Sequence, residues 1–255
     1  MNVDLNADLG ESFGNYKCGM DEQVIPFVSS VNVACGFHAS DPLVMAQTVQ
    51  LAKEHMVAIG AHPGFPDLVG FGRRNMSVSP KDLKAMVQYQ IGALSAFCEA
   101  NGILMQHVKP HGAMYNMAAK NKMLARAIAE GIYEVNPELI LLGLAGSYLI
   151  KEGKEVGLKV ANEVFADRNY QPDGTLVPRT QEGAVIEDTD EAGCRTVKMV
   201  QEGCVTAIDG SVIPIKADSI CLHGDGKKAV LFAQRLNEEL TRQGVRIIPI
   251  SSVIS

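Results

Sequence analysis

The sequence contains no tryptophan, and aromatic residues make up only 5% of it. Sites that stack sugars depend on large aromatic faces, so this shortage weighs against a carbohydrate platform. No stretch approaches 18 consecutive apolar residues, and we therefore predict no membrane-spanning segment. The first residues, MNVDLNADLGES, carry acidic side chains where an export signal needs basic ones. We therefore expect a cytoplasmic protein.

Runs of positive charge are also absent. The net charge is −6 over 255 residues, and the lysines and arginines are scattered. This distribution weighs against nucleic acid or an anionic membrane surface as a partner. None of the six cysteines forms a C-x-x-C pair. Without an export signal, we expect all of them to be reduced thiols.

Two nucleotide-binding motifs are missing. The P-loop pattern G-x-x-x-x-G-K-[ST] occurs nowhere, and no G-x-G-x-x-G follows the first predicted strand. The second absence weighs against a doubly wound dinucleotide fold. The segment HGDGKK, residues 223–228, precedes a predicted helix and could offer backbone N–H groups to a phosphate or carboxylate.

Short apolar runs alternate with longer amphipathic stretches along the chain. We predict strands at residues 3–9, 31–34, 57–61, 105–108, 139–142, 160–165, 219–222 and 246–250. Helices are predicted to start at Asp41-Pro42, at Ser79-Pro80 and near Asp225, and residues 204–215 are predicted to form a small β excursion. This order predicts a single α/β domain over residues 1–255, built as a (β/α) barrel. A doubly wound open sheet is the alternative.

Ionisable side chains collect where the predicted strands end. They are Asp8, Glu11, His38, His62, Asp67, Lys109, His111, Asp167, Arg168, His223, Asp225 and Lys227. The carboxyl ends of parallel strands form the active-site face of barrels and open sheets. One histidine at such a position is often structural, but four at one edge favour a site.

The segment HVKPHGAMYN, residues 107–116, spaces two histidines as a helical metal clip would. Pro110 and Gly112 oppose a helix there, because proline lacks the N–H and glycine favours a bend. We therefore predict that His107 lies in the strand with a structural role. Lys109 and His111 are predicted to emerge at the active-site edge.

Two other features each allow two interpretations. Cys35 could be a nucleophile, but a small buried thiol is the favoured interpretation. The glycine-rich tract GFPDLVGFGRR, residues 64–74, is either a mobile lid or a surface loop held by packing of its phenylalanines.

Seven segments together resemble the LamB/YcsF family in order and spacing. They are DLNADLGE, NVACGFHA, GAHPGFPD, HVKPHGAMYN, GLAGS, EVFADRNYQPDGTLVPR and CLHGDG, and the resemblance extends from residue 1 to about residue 250. Ser40 lies at a position where the resemblance leads us to expect glycine. The resemblance implies an irregular, TIM-like barrel of seven strands, similar to the glycoside hydrolase/deacetylase superfamily. One of the predicted strands would then lie outside the barrel.

The resemblance also implies an activity. The chain would work with subunits B and C of a prokaryotic 5-oxoprolinase, which opens the lactam of 5-oxo-L-proline (pyroglutamate) to L-glutamate and converts ATP, with Mg²⁺, to ADP and phosphate. Such chemistry needs cations for the substrate carboxylate and the phosphoryl group, and a base that activates water.

We assign candidate residues to these roles. The catalytic candidates are Asp8, Glu11, Lys109, His111 and Asp225, and the substrate-binding candidates are His38, His62, Arg168, Arg179 and His223. Related members of the superfamily bind a divalent ion through one aspartate and two histidines, and Asp8, His38 and His62 could form such a set. Two alternative functions stay open. One is a metal-dependent deacetylase or hydrolase of a carbohydrate or small amide, and the other is a non-catalytic protein that delivers substrate to its partners.

Overall fold

Strands and helices alternate along the chain in a computed structural model that describes residues 1–222 and 229–254. The strands are β1 (Asn2–Leu9), β2 (Ser30–Ala34), β3 (Ala58–His62), β4 (Met105–Val108), β5 (Ile140–Leu144), β6 (Val160–Phe165), β7 (Cys204–Thr206), β8 (Val212–Pro214), β9 (Ser219–Leu222) and β10 (Arg246–Ile247). The helices are α1 (Asp21–Val24), α2 (Pro42–Glu54), α3 (Pro80–Ala100), α4 (Gly112–Lys120), α5 (Lys122–Val135), α6 (Tyr148–Val156), α7 (Thr189–Glu202), α8 (Ala229–Arg242) and α9 (Ile250–Val253), with a 3₁₀ turn at Ile25–Phe27.

Seven parallel strands close into a barrel. Their order is β1-β2-β3-β4-β5-β6-β9, and β9 pairs back onto β1. Closure satisfies the backbone groups that the edges of an open sheet would expose. The predicted barrel is therefore confirmed, and the doubly wound open sheet is wrong.

The strand predicted at residues 246–250 is wrong in extent. Only Arg246–Ile247 forms β10, which pairs with Asn2 and Val3 at the start of β1, outside the barrel. Pro249 ends the extended segment because proline cannot donate to a ladder, and α9 starts directly after it. The expectation that one predicted strand lies outside the barrel is confirmed.

The other boundaries differ from the predictions by one or two residues. The strands predicted at 57–61 and 139–142 are observed as Ala58–His62 and Ile140–Leu144. The β excursion predicted at 204–215 is the antiparallel pair of β7 and β8. The helix predicted from Asp225 is described from Ala229 onward as α8.

The predicted starts of α2 and α3 are confirmed by their caps. The Asp41 carboxylate accepts hydrogen bonds from the backbone N–H groups of Leu43 and Val44. The Ser79 hydroxyl accepts one from the N–H of Asp82. Both helices continue with proline in the first turn, where the missing N–H has no intrahelical partner to lose. Among residues 1–222 and 229–254, no helix is long and apolar enough to cross a membrane.

The inside of the barrel is polar, although its outer face is aliphatic. In β1 the side chains of Val3, Leu5, Ala7 and Leu9 are fully buried in the hydrophobic core. The alternating side chain of Asn6 donates to Glu163 Oε1 at 3.1 Å and to Ser219 Oγ at 2.7 Å. Because β1 and β6 are not neighbours, the contact with Glu163 crosses the barrel interior. Many barrels fill this space with branched aliphatic side chains.

Candidate active site

A cavity of about 810 Å³ opens at the carboxyl ends of the barrel strands. Among the side chains that line it are Asp8, Glu11, His62, Lys109 and His111. They come from the ends of β1, β3 and β4, as predicted from their positions in the sequence. The closed barrel therefore brings five predicted site residues into one space.

Lys109 is the buried cation of this cavity. Its Nζ lies 2.8 Å from Asp8 Oδ1 and 2.9 Å from Glu163 Oε1. Burial favours the neutral amine, but the negative charges of Asp8 and Glu163 outweigh it and hold the pKa of Lys109 well above its ordinary value. Lys109 is therefore a fixed positive charge and not a base.

Glu163 and Tyr115 were missed by sequence reasoning. Glu163 is fully buried, and its Oε2 accepts a hydrogen bond from the Tyr115 hydroxyl at 2.7 Å. The available signal was a charged residue inside the predicted strand at 160–165, where its neighbours are mostly apolar. A carboxylate buried in that way requires a partner, which is Lys109.

Asp8 is held by amide groups as well as by Lys109. Asn32 Nδ2 donates to Asp8 Oδ1 at 2.8 Å and to Asn6 Oδ1 at 2.7 Å. The oxygen of Asn32 is 2.7 Å from His107 Nε2. Burial lowers the pKa of His107 to about 3, so its imidazole is neutral and donates to Asn32. His107 lies in β4, as predicted, and helps to position this network.

Three histidines and Glu11 form a second group beside Lys109. His62 Nε2 and His111 Nδ1 are 2.9 Å apart, and the His38 ring stacks on that of His111 with centroids 3.7 Å apart. Glu11 Oε1 is 3.2 Å from His38 Nε2 and 3.7 Å from His111 Nδ1. Burial lowers the pKa values of His38 and His111 well below the ordinary value.

Two members of the predicted metal set, His38 and His62, belong to this group, and the set of Asp8, His38 and His62 stays a prediction. The potential ligand atoms that lie within 4.8 Å of one another belong to Glu11, His38, His62 and His111. Asp8 lies at the edge of this group: its Oδ1 accepts hydrogen bonds from Lys109 and Asn32, and its Oδ2 lies 3.3 Å from His62 Nε2. Glu11, two residues after β1, is the carboxylate whose ligand atom lies within 4.8 Å of those of the three histidines.

The two predicted substrate-binding arginines occupy different positions on the cavity wall. Arg168 is buried and donates to the carbonyl oxygens of Val177 at 2.6 Å and Ala184 at 3.3 Å. These bonds show that Arg168 also organises the segment after β6. Burial and the nearby charge of Arg179 lower the pKa of Arg168 to about 10. Arg179 itself is exposed at the cavity mouth.

The remaining predicted candidates cannot be placed. His223 and Asp225, together with Lys227 and the segment HGDGKK, lie outside the described residues. Their predicted roles stay predictions.

Cys35 is a buried structural thiol. Its Sγ donates to the carbonyl oxygen of Val33 at 3.1 Å, and burial raises its pKa to about 12. A thiol with that pKa stays protonated at neutral pH and is a poor nucleophile. All six cysteines are free, as expected.

The tract at residues 64–74 forms a packed wall of the site. Phe65 is fully buried, and Asp67 pairs with Arg74 within the loop. The carbonyl oxygen of Phe71 lies 2.8 Å from His111 Nε2, and that of Gly72 accepts the N–H of Ala113 at 2.9 Å. The packed loop is the interpretation that these contacts favour.

Comparisons with known proteins agree with this architecture. A sequence model of the LamB/YcsF family matches residues 3–255. The A subunit of a 5-oxoprolinase from Clostridium beijerinckii is 64% identical over 251 residues, which cover 98% of each chain. The crystal structure of a lactam utilization protein from Thermus thermophilus superposes with a TM-score of 0.92 at 47% identity, covering 97% of this chain and 99% of the other. A T48 deacetylase shares the fold, with a TM-score of 0.51 at 14% identity over 98% of this chain and 89% of the other.

Proposed function

Since the chain belongs to the LamB/YcsF family, we propose that it acts as the A subunit of a 5-oxoprolinase and opens the lactam of 5-oxo-L-proline to give L-glutamate. The relative of that name aligns along nearly the whole length of both chains, which supports the same reaction here. In this proposal the chain works with two further subunits, B and C, and the reaction consumes ATP with Mg²⁺.

The observation that carries the proposal is the Lys109 ammonium fixed in the cavity wall. Hydrolysis of a lactam develops negative charge on the lactam oxygen, and a preorganised cation in a site with little water stabilises that charge strongly. Lys109 meets both conditions, because its side chain is buried and is paired with Asp8 and Glu163. Its high pKa keeps the charge in place during the reaction.

Further cations at the mouth suit an anionic substrate. Arg73, Lys120 and Arg179 line the cavity and are exposed. Guanidinium groups bind carboxylate and phosphoryl oxygens through paired N–H donors. The carboxylate of 5-oxoproline and any phosphoryl group on its lactam oxygen would therefore face positive charge.

The proposed reaction uses one ATP and two water molecules. Transfer of the γ-phosphoryl group to the lactam oxygen gives ADP and a phosphorylated lactam. Water then adds to the ring carbon, the carbon–nitrogen bond breaks with a proton passing to the nitrogen, and a second water releases phosphate and leaves L-glutamate. The group of Glu11, His62 and His111 lies beside Lys109 and is where we place water activation. The absence of a P-loop motif from the sequence favours one of the partner proteins as the site of the nucleotide.

A substrate comparison tests this function. The complex of this chain with subunits B and C is assayed for L-glutamate and ADP, with 5-oxoproline and with 2-pyrrolidinone, the same ring without the carboxylate. We expect ATP-dependent glutamate release from 5-oxoproline and much slower turnover of 2-pyrrolidinone. If the complete complex forms no glutamate but opens other lactams, the proposed substrate is wrong.

The same assay addresses the two alternative functions. Hydrolysis of an acetylated sugar by the chain alone, without ATP, would favour the metal-dependent deacetylase. Unchanged turnover in complexes that carry substitutions at Lys109 or Glu11 would favour a chain that only delivers substrate.

A further inference from the structure

The facing nitrogens of His62 and His111 have no proton to share when both rings are neutral. His62 Nδ1 lies 2.7 Å from the carbonyl oxygen of Lys109, and His111 Nε2 lies 2.8 Å from that of Phe71. A carbonyl oxygen only accepts hydrogen bonds, so in a neutral ring the single imidazole proton is on this nitrogen. The remaining nitrogens, His62 Nε2 and His111 Nδ1, therefore present lone pairs to each other across 2.9 Å.

Two lone pairs at that separation repel each other unless a proton or a metal ion lies between them. Carboxylates surround the same position, since Asp8 Oδ2 is 3.3 Å from His62 Nε2 and Glu11 Oε1 is 3.7 Å from His111 Nδ1. Histidines that bind metals characteristically donate their other N–H to a carbonyl or carboxylate, which fixes the ring. Both rings show this arrangement with backbone carbonyls.

The spacing of the donor atoms fits a small divalent ion. Metal bonds of about 2.0–2.1 Å in a tetrahedron place the ligand atoms about 3.3 Å apart. The distances of 2.9 Å between the two histidine nitrogens and 3.7 Å from Glu11 to His111 lie on either side of that value. Glu11, His62 and His111 all line the cavity, so a fourth position would face it.

His38 has a different place in this group. It is fully buried, stacks on His111, and its Nε2 lies 3.2 Å from Glu11 Oε1. An N–H donated to Glu11 would orient that carboxylate, as hydrogen bonds commonly do for carboxylate ligands. Because His38 does not line the cavity, we assign it the positioning of Glu11 and not a place in the coordination of the ion.

We propose that Glu11, His62 and His111 bind one divalent metal ion with two nitrogen ligands and one oxygen ligand, leaving a position open to the cavity. This set differs from the predicted trio of Asp8, His38 and His62. Such an ion would polarise a carbonyl oxygen or lower the pKa of a bound water. The metal site rests on these distances and not on the identity of the substrate.

Metal binding by the purified chain tests the site directly. The chain is stripped with a chelator and titrated with Zn²⁺ by calorimetry, and the bound zinc is counted by mass spectrometry. We expect one ion per chain in the wild type and in His55→Ala, the matched control at an exposed histidine. In His62→Ala and His111→Ala we expect affinity to fall by more than about 100-fold, since even the loss of an outer partner costs roughly 10–100-fold.

Two further measurements distinguish loss of the metal ligands from loss of folding and identify the atoms bound to the ion. Melting curves of the metal-free variants show whether they fold, and X-ray absorption at the zinc edge should show two nitrogens and at least one oxygen at about 2.0–2.1 Å. A wild-type chain that binds no stoichiometric ion would overturn the metal site, as would wild-type affinity in His62→Ala. If the wild-type chain binds no ion at this position and its complex still forms glutamate, the proposed function stands and the metal site alone fails.

Discussion

Lys109 and Asp4 show how burial and charge compete in single residues of this barrel. Both side chains are almost fully buried. Lys109 has two carboxylates beside it, and its pKa rises. Asp4 accepts hydrogen bonds from the hydroxyl groups of Ser29, Ser30 and Ser219, and burial raises its pKa to about 6. The nearby charge of Glu163 also contributes to the higher pKa of Asp4.

Asp4 should make the stability of the protein depend on pH. Its pKa is about 6 in the folded chain against an ordinary value of 3.8, so the folded state binds more protons between these values. The free energy of unfolding should therefore fall as pH rises from about 4 to about 6, by roughly 3 kcal/mol at 1.36 kcal/mol per pKa unit. Urea unfolding of the wild type and Asp4→Asn across this range isolates the effect. A pH-independent difference between the two proteins would contradict it.

Removal of the Lys109 charge should destabilise the chain through the carboxylates left behind. Loss of one partner from a buried ion pair typically costs about 3–5 kcal/mol, and we expect a loss of that order for Lys109→Met. Adding Glu163→Gln removes one of the uncompensated charges, so the double variant should unfold at higher urea than Lys109→Met alone. If the stability losses of Lys109→Met and Glu163→Gln simply add in the double variant, Lys109 and Glu163 do not stabilise each other directly.

At the scale of secondary-structure elements, the sequence predicts where strands and helices start better than how they end. Asp41 and Ser79 are local signals, because a cap acts within one turn of its own helix. The early end of the strand predicted at 246–250 depends on Pro249 and on which strand lies next to it. Tertiary pairing of that kind is not visible in the local pattern.

Ser40 is a strained element boundary at the position where the family resemblance leads us to expect glycine. Its φ is +75°, in the left-handed region that favours glycine, and it lies just before the cap of α2. That conformation costs a residue other than glycine about 1–2 kcal/mol. Glycine avoids this cost but loses more conformational entropy on folding, which offsets part of the gain. We expect Ser40→Gly to raise the free energy of unfolding by up to about 1 kcal/mol. A loss of stability in urea titrations would show that the Ser40 side chain contributes more than its backbone costs.

A side chain at Gly60 in β3 should destabilise the folded chain, whereas a side chain at Gly92 in α3 should not. A Cβ on Gly60 would overlap the His107 imidazole, which is buried and bonded to Asn32. A Cβ on the exposed Gly92 would meet no atom within 4 Å. We expect Gly60→Ala to destabilise the chain by about 1–3 kcal/mol and Gly92→Ala to stabilise it by about 0.5–1 kcal/mol. Equal effects of the two substitutions on the melting temperature would contradict the close packing of His107.

At the scale of the whole molecule, alternation of strands and helices predicted the barrel, and strand-end positions predicted that Asp8, Glu11, His62, Lys109 and His111 lie close together. The pairing of β9 with β1, which closes the barrel, could not be predicted from local sequence, because more than 200 residues separate the two strands. Glu163 was missed for a related reason, because its partner Lys109 follows a different strand. The position of Glu11 among three histidines likewise depends on tertiary structure, because the histidines come from different parts of the chain. The single domain over residues 1–255 stays a prediction.

We propose that this chain supplies the hydrolytic site of a 5-oxoprolinase. Glutamate formation by the complex with subunits B and C, with Glu11→Gln or Lys109→Met in this chain, tests it most directly. His55→Ala is the control, and size-exclusion chromatography verifies that each complex is intact. We predict that the control keeps wild-type turnover and that both site variants lose at least about 100-fold, as expected when a preorganised charge or a water-activating group is removed. Wild-type turnover by intact complexes of both site variants would contradict the claim.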